Sequence, residues 1–301
     1  MPVILTSGLP EKKPLLEQGW LRVLLFGICF LILTVAIAIP AVLVFADMKM
    51  DEIAEDPLHL ITNLLNGKYL WLIVSLEWIV SMLSVLLFRL FVDRRSVGSL
   101  GLRLPGYWRD AAAGFFTGTA LLGLGALILF LSGHFHWTDI DFDGPLLLKS
   151  VCLLLVIAFS EELVFRGYVL NNLLQSFDKW TALIVSAILF AGFHITNPSI
   201  TPLAFVNLAL AGVLMGINYI YSGNLWYSIL LHFSWNFFQG PLMGFRVSGL
   251  SMPAILQLET KGDLILTGGD FGLEGSVLIT AITIIAILLL NIAFGKRYKG
   301  A

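Results

Sequence analysis

Long runs of apolar residues recur along the whole chain and limit what it can fold into. A helix of about 20 apolar residues crosses a bilayer core of about 30 Å. Strands are excluded, because a sheet in lipid must close into a barrel, and barrel strands are shorter and alternate in polarity. The sequence therefore predicts an all-α, polytopic bundle of about eight transmembrane helices. The eight runs are 23–46, 69–92, 111–132, 146–174, 180–196, 203–221, 225–245 and 276–294.

The composition supports a membrane protein and excludes two broad classes. Of 301 residues, 58% are hydrophobic and 13% are charged. A soluble enzyme of this size could not bury so much apolar surface. The net charge of −2 leaves no basic surface for nucleic acid. We expect one integral membrane domain, residues 1–301, in the cell membrane, with the lipid bilayer as its surroundings and no nucleic-acid partner.

The distribution of Lys and Arg predicts the orientation of the bundle. With the N-terminus in the cytoplasm, twelve of these residues fall in cytoplasmic segments and five in external ones. The acidic stretches 47–56 and 139–143 fall outside. Cytoplasmic loops carry an excess of positive charge, so we expect both termini to be cytoplasmic.

Ionisable side chains in the hydrocarbon part of the apolar runs, away from their ends, are few. Each costs about 2.5–3.5 kcal/mol to insert, so each is a functional hypothesis. Glu77 stands alone on the second run, and we interpret it as structural. The other members of this group, with one polar companion, lie on the fourth, fifth and seventh runs: Glu161, Glu162, Arg166, His194, His232 and Asn236.

Two adjacent acids on the fourth run have different neighbours. Glu162 and Arg166 are four residues apart, so they share a helix face and can pair. Glu161 points about 100° away and has no cation nearby in the sequence. A buried carboxylate of this kind is a candidate general base. The alternative is that all three form a structural polar cluster.

The spacing predicts that the histidines meet Glu161. The fourth and fifth runs can fold back about a turn at 175–179, which puts Glu161 and His194 at one level, about 20 Å from the bend. His232 and Asn236, four residues apart, share a face and can present two donors to one point. His232 lies about 10 Å from the cytoplasmic end of its helix, so we expect the site in the cytoplasmic half.

This set of side chains suits hydrolysis of a substrate by water. Glu161 would take a proton from water while His194 orients it. His232 and Asn236 would stabilise the oxyanion of a tetrahedral intermediate. In a second version, Glu161, His194 and His232 bind a divalent metal such as Zn²⁺. Both versions remain open at this point.

The same residues form three motifs with a family resemblance. They resemble the motifs of the CAAX prenyl protease and bacteriocin-processing (CPBP, or Abi) family of intramembrane proteases, which are usually described as metalloproteases, although a metal-free mechanism has also been argued. The resemblance implies an eight-helix-type fold, endopeptidase activity, water activation by Glu161 and His194, and support of the site by Glu162 and Arg166. The motifs are Glu161-Glu162-x-x-x-Arg166, Phe190-x-x-x-His194 and His232-x-x-x-Asn236.

The motifs suggest a division of the membrane domain. Residues 1–145 would hold the first three helices and residues 146–240 a CPBP-type protease core. Residues 241–301 would form an extracytoplasmic loop and the last helix. Within that loop, the segment Thr267–Ser276 resembles a loop before the last helix in bacterial members of the family, and the alternative, which we favour, is a plain glycine-rich cluster of turns.

Two other functional classes remain alternatives to a protease acting on a peptide or membrane-anchored protein. A non-catalytic immunity or regulatory protein is one, because the family includes such roles. A proton-coupled transporter is the other, because buried Glu and His suit proton relays. The absence of an inverted repeat from the sequence makes the transporter the weaker alternative.

Overall fold

Helices dominate the computed structural model, which describes residues 13–45 and 69–298. Each predicted apolar run corresponds to one helix. The helices are α1 (Gly19–Phe45), α2 (Leu70–Leu87), α3 (Trp108–Leu131), α4 (Gly144–Glu162), α5 (Lys179–Phe193), α6 (Pro202–Ser222), α7 (Trp226–Phe237) and α8 (Val277–Arg297).

Five of these helices are long and apolar enough to cross a membrane: α1, α2, α3, α6 and α8. α5 is apolar but has only 15 residues. α4 carries charged side chains, and the α-helical part of α7 ends after 12 residues. The membrane character of the chain is therefore clear, and the count of eight spans stays a prediction.

Three helices continue into π-helical segments, which the sequence did not predict. Phe88–Val92 extends α2, Leu163–Leu170 extends α4 and is followed by Asn171–Leu173, and Phe238–Leu242 extends α7. Such wider turns often lie at functional sites. The segment in α4 starts directly after the two adjacent glutamates.

Side chains in the connecting loops fix where the helices begin. Asp143 accepts a hydrogen bond from the backbone at the start of α4, and Asp178 does so for α5. Thr201 and Ser276 cap α6 and α8 in the same way. These caps satisfy backbone N–H groups that the first turn of a helix leaves free.

One end of the bundle is closed by an aspartate that binds two arginines. Asp93 accepts hydrogen bonds from Arg22 at 3.1 Å and from Arg89 at 2.8 Å. Tyr168 and Asn172 also donate to it, at 3.4 and 3.3 Å. The carboxylate is fully buried and joins α1, α2 and the continuation of α4.

A second buried aspartate at the same end joins three other helices. Asp110 in α3 accepts hydrogen bonds from Asn218 in α6 at 3.1 Å and from Arg297 and Tyr298, at the end of α8, at 2.9 and 3.0 Å. We call this the basic end, because most of the described cations lie there: Lys13, Arg22, Arg89, Arg94, Arg95, Arg103, Arg109, Lys179, Lys296 and Arg297.

The opposite end carries a two-stranded antiparallel ribbon, and we call it the ribbon end. It comprises β1 (Phe135–Ile140), β2 (Leu256–Thr260) and the loop residues 244–275 around β2. The prediction of an all-α fold is wrong for these strands. The two strands are far apart in the sequence, so no hairpin turn signals their pairing.

The outer surface of the bundle is apolar, as expected of a protein surrounded by lipid. Leu31, Leu131 and Leu289 are 66%, 75% and 62% exposed. Contiguous apolar surface of this kind is rare on soluble monomers. Some residues used to predict orientation and spans lie outside the described part of the chain: Lys12, Ala46, Lys49, Lys68, Lys299 and the acidic stretch 47–56.

Candidate active site

Glu161 and His194 face each other between α4 and α5. Glu161 lies in the last α-helical turn of α4, and His194 directly follows α5. Glu161 Oε2 and His194 Nε2 are 3.7 Å apart, and both residues are 8% exposed. The predicted antiparallel arrangement of these two helices is confirmed.

Hydrogen bonding fixes the orientation of the His194 ring. Nδ1 lies 2.9 Å from the carbonyl oxygen of Phe190, which can only accept, so Nδ1–H donates. In the neutral ring, Nε2 then carries the lone pair and faces Glu161. Glu161 Oε2 is buried and has no hydrogen-bond partner among the described residues. Glu161 Oε2 and His194 Nε2 are both acceptors, so a water molecule between them could donate one hydrogen bond to each.

Glu162 binds Arg166 and His232 with one oxygen. Glu162 Oε1 lies 2.8 Å from Arg166 Nη1 and 3.0 Å from His232 Nδ1. Arg166 also donates to the Gly212 carbonyl at 3.0 Å, and its guanidinium lies 4.5 Å from the centre of the Phe190 ring. The predicted pairing of Glu162 with Arg166 is present, and the contacts link α4, α5, α6 and α7.

One cavity brings the candidate catalytic residues together. It has a volume of about 130 Å³, and His232 and Asn236 on α7 line it together with Glu161 and His194. Glu162 and Arg166 lie behind this wall, where they hold His232 and α6 in place. The polar side chains of the lining are Glu77, Glu161, His194, Asn197, His232, Asn236, Ser248 and Glu274.

Comparison with known proteins finds one family that the centre of the chain resembles. Residues 143–238 match the family described as type II CAAX prenyl endopeptidase Rce1-like. This segment resembles the Rce1-like family. The match covers about a third of the chain and confirms the resemblance to CAAX proteases of the CPBP family that the three motifs predicted. No curated protein and no solved structure matches the chain.

The Rce1-like segment runs from the cap of α4 to the end of α7. It contains all six residues of the predicted site, but it leaves out other side chains that line the cavity. Glu77 precedes the segment, whereas Ser248 and Glu274 follow it. The site is therefore completed by parts of the chain outside the family match.

Glu274 is a cavity acid that sequence reasoning missed. Its carboxylate accepts hydrogen bonds from the backbone and side chain of Ser248, at 2.6 and 2.9 Å, and its carbonyl accepts one from Asn207 at 2.7 Å. Burial raises the pKa of the Glu274 carboxyl, and the bonds from Ser248 oppose that shift. The loop before α8 thus forms part of the cavity wall.

The glycines of the loop before α8 were the sequence signal that could have indicated its packing against the site. Gly272 has a φ of +94°, and a Cβ there would lie 2.0 Å from the Arg246 carbonyl oxygen. Only glycine permits both the positive φ and this close approach. The segment interpreted as a cluster of turns is therefore a packed part of the site, held against the residues that follow α7.

Glu77 lies where two cavities meet. It lines the cavity that holds Glu161, His194, His232 and Asn236, which we call the reaction cavity, and also an apolar groove of about 640 Å³ that runs between α1, α2, α4 and α5. Glu161 and Phe193 line both as well. Glu77 was interpreted as structural, and its position gives it access to the reaction cavity.

The predicted metal site would use Glu161, His194 and His232 as ligands. Among residues 13–45 and 69–298, no three His, Cys, Asp or Glu side chains are grouped closely enough to hold a metal ion. Glu162 contacts His232 Nδ1, which leaves Nε2 as the ring atom that could bind a metal. A divalent metal on Glu161, His194 and His232 would need a different arrangement of these side chains.

Proposed function

We propose that the chain is a membrane-embedded endopeptidase that hydrolyses a peptide bond of a membrane-associated protein or peptide precursor. The observation that carries this proposal is the pair Glu161 and His194, which face each other at 3.7 Å in a cavity also lined by His232 and Asn236. The Rce1-like match over residues 143–238 supports the same reaction class.

Glu161 and His194 would activate the water. A water molecule between Glu161 Oε2 and His194 Nε2 gives one proton to Glu161 as its oxygen attacks the carbonyl carbon of the peptide. The tetrahedral intermediate collapses when the C–N bond breaks, and Glu161 returns the proton to the leaving nitrogen. This is general base followed by general acid catalysis by one carboxyl group.

His232 and Asn236 would stabilise the charge that develops on the carbonyl oxygen. His232 Nδ1 faces Glu162, so a doubly protonated His232 ring would donate Nδ1–H to Glu162 and offer Nε2–H as the donor to the substrate. Asn236 supplies an amide N–H from one helical turn further along α7. Donors that are fixed before the reaction contribute most when charge appears in a site that excludes water. Glu162 and Arg166 act as positioning residues.

We propose a reaction without a bound metal, because three ligands are not grouped at the site. Membranes that contain the protein are expected to keep most or all of their cleavage activity after treatment with a strong chelator. The measurement is the rate of product formation before and after chelation, followed by addition of Zn²⁺. Activity that disappears on chelation and returns with Zn²⁺ would establish the metal version.

The substitution His194→Ala tests the proposed activity in cells. Removing the ring that orients the water should make precursors accumulate and eliminate the new termini from membrane proteins. His136→Ala is the matched control, because His136 lies on the ribbon and its side chain is 44% exposed. The readout is a comparison of membrane peptides at equal membrane abundance of the two variants. Identical termini in both would favour a non-catalytic regulatory protein or a transporter.

We further propose a location in the cell membrane with both termini cytoplasmic. The expectation that the site lies in the cytoplasmic half rests on His232, which lies about 9 Å along α7 from Trp226 at the basic end. His194, in contrast, lies at the far end of α5. We therefore place the reacting groups near the middle of the bundle. Their depth does not determine the side from which a substrate enters.

A further inference from the structure

Fully buried side chains separate the reaction cavity from the basic end. Leu100, Leu170 and Leu225 are 0% exposed and pack together beneath the loops of that end. Tyr168 and the buried Asp93 continue this layer toward α1 and α2. A polar peptide segment could reach the cavity from this side only if the layer came apart.

The partly exposed residues of the cavity fall into two sets: Leu70, Glu77, Ile157, Phe193 and Ala211 lie on the helices, and the others lie on loops of the ribbon end. Asn197, Leu250 and Met252 line the cavity and are accessible to solvent in part. The lining on the opposite side is closed, since Leu214 and Met215 are 1% and 4% exposed. The partly exposed loop residues therefore form a rim of the cavity at the ribbon end, and its floor lies toward the basic end.

The apolar groove offers a path to the basic end, but not for a peptide backbone. It reaches Trp20 and Phe177 near that end, and apart from Glu77, Ser81 and Glu161 its lining is apolar. Backbone N–H and C=O groups need hydrogen-bond partners when they leave water. The groove suits an apolar chain. The polar segment to be cut would find hydrogen-bond partners at the ribbon-end rim instead.

The two ends differ sharply in charge. Ten described Lys and Arg residues lie at the basic end, and the ribbon end has three, at positions 149, 246 and 261. Segments that stay in the cytoplasm are enriched in Lys and Arg. The basic end is therefore assigned to the cytoplasm and the ribbon end to the opposite side of the membrane.

We infer that the reaction cavity admits its substrate from the extracytoplasmic side. The substrate class is an extracytoplasmic segment of a membrane-anchored protein, or a peptide already carried across the membrane, and not a C-terminus that stays in the cytoplasm. That this segment is then cut rests on the proposed function. The direction of entry rests on the closed floor, the position of the rim and the charge of the two ends.

Cysteine labelling tests the direction of entry without requiring cleavage. In a background with Cys29→Ala and Cys152→Ala, single cysteines replace Met252 at the rim, Asn236 in the cavity and Gly98 at the basic end. Gly98 has open space around its Cβ position, so the new side chain should be accommodated. The probe is a small, permanently charged thiosulfonate reagent, applied to intact spheroplasts and to inverted membrane vesicles.

We expect Met252→Cys and Asn236→Cys to react in spheroplasts and Gly98→Cys to react only in inverted vesicles. An Asn236→Cys variant that reacts only in inverted vesicles, as Gly98→Cys does, would overturn the inference. An Asn236→Cys variant that reacts in neither preparation would overturn it as well. A rim cysteine that reacts only in inverted vesicles would reverse the orientation and also overturn it. Each result is independent of the His194→Ala comparison, so the entry side and the protease activity can fail separately.

Discussion

The Glu161→Gln variant is expected to lose cleavage activity by a factor of roughly 10²–10⁴ while it keeps its fold. Glutamine has nearly the same shape as glutamate but cannot accept the proton of the attacking water. Glu161 Oε2 has no hydrogen-bond partner among the described residues, and its contact with His194 is long at 3.7 Å, so replacing the carboxylate breaks no hydrogen bond of this oxygen. The loss should therefore appear in kcat, because the affected step is the reaction itself.

The measurement is kcat on one cleavable peptide in reconstituted membranes, with the melting temperature of each variant recorded alongside. Glu259→Gln is the matched control, because Glu259 makes only exposed ion pairs on the ribbon. Exposed pairs contribute little to stability, so the control should cleave at the wild-type rate. A Glu161→Gln enzyme that retains full activity would remove Glu161 from the mechanism.

The part of the site that the sequence predicted follows from local helix geometry. The four-residue spacing of Glu162 and Arg166 fixes their pairing once the segment is helical. The similar distances of Glu161 and His194 from the turn between α4 and α5 fix their common level. Such relations depend on the rise and rotation per residue, so three short motifs on predicted helices were enough.

Contacts between distant segments could not be predicted in this way. Glu274 meets Ser248 because glycine-rich loops bring together the chain after α7 and the chain before α8, and no periodic pattern encodes that contact. The pairing of β1 with β2 has the same cause. Glu77 illustrates a different limit, since a helix that is apolar on all sides gives no signal for which face turns toward the interior.

The Asp93→Ala variant is expected to be the most destabilising single substitution in the described part of the chain. It leaves two arginines, Arg22 and Arg89, buried at 1% exposure without their shared carboxylate. Removing one partner of a buried ion pair costs about 3–5 kcal/mol, because the remaining charge is uncompensated. The loss should extend to activity, since the same carboxylate holds the part of α4 that follows Glu161 and Glu162.

Thermal unfolding in detergent measures this effect, with Asp141→Ala as the control, because Asp141 is exposed at the ribbon end. A triple variant identifies the cause. Replacing Asp93 by Leu together with Arg22→Met and Arg89→Met removes all three charges, and buried ionic sets can often be exchanged for apolar side chains at little cost. The triple variant should therefore melt well above Asp93→Ala. If both melt equally low, hydrogen bonds from Tyr168 and Asn172 to Asp93, and not the burial of unpaired arginines, stabilise this end of the bundle.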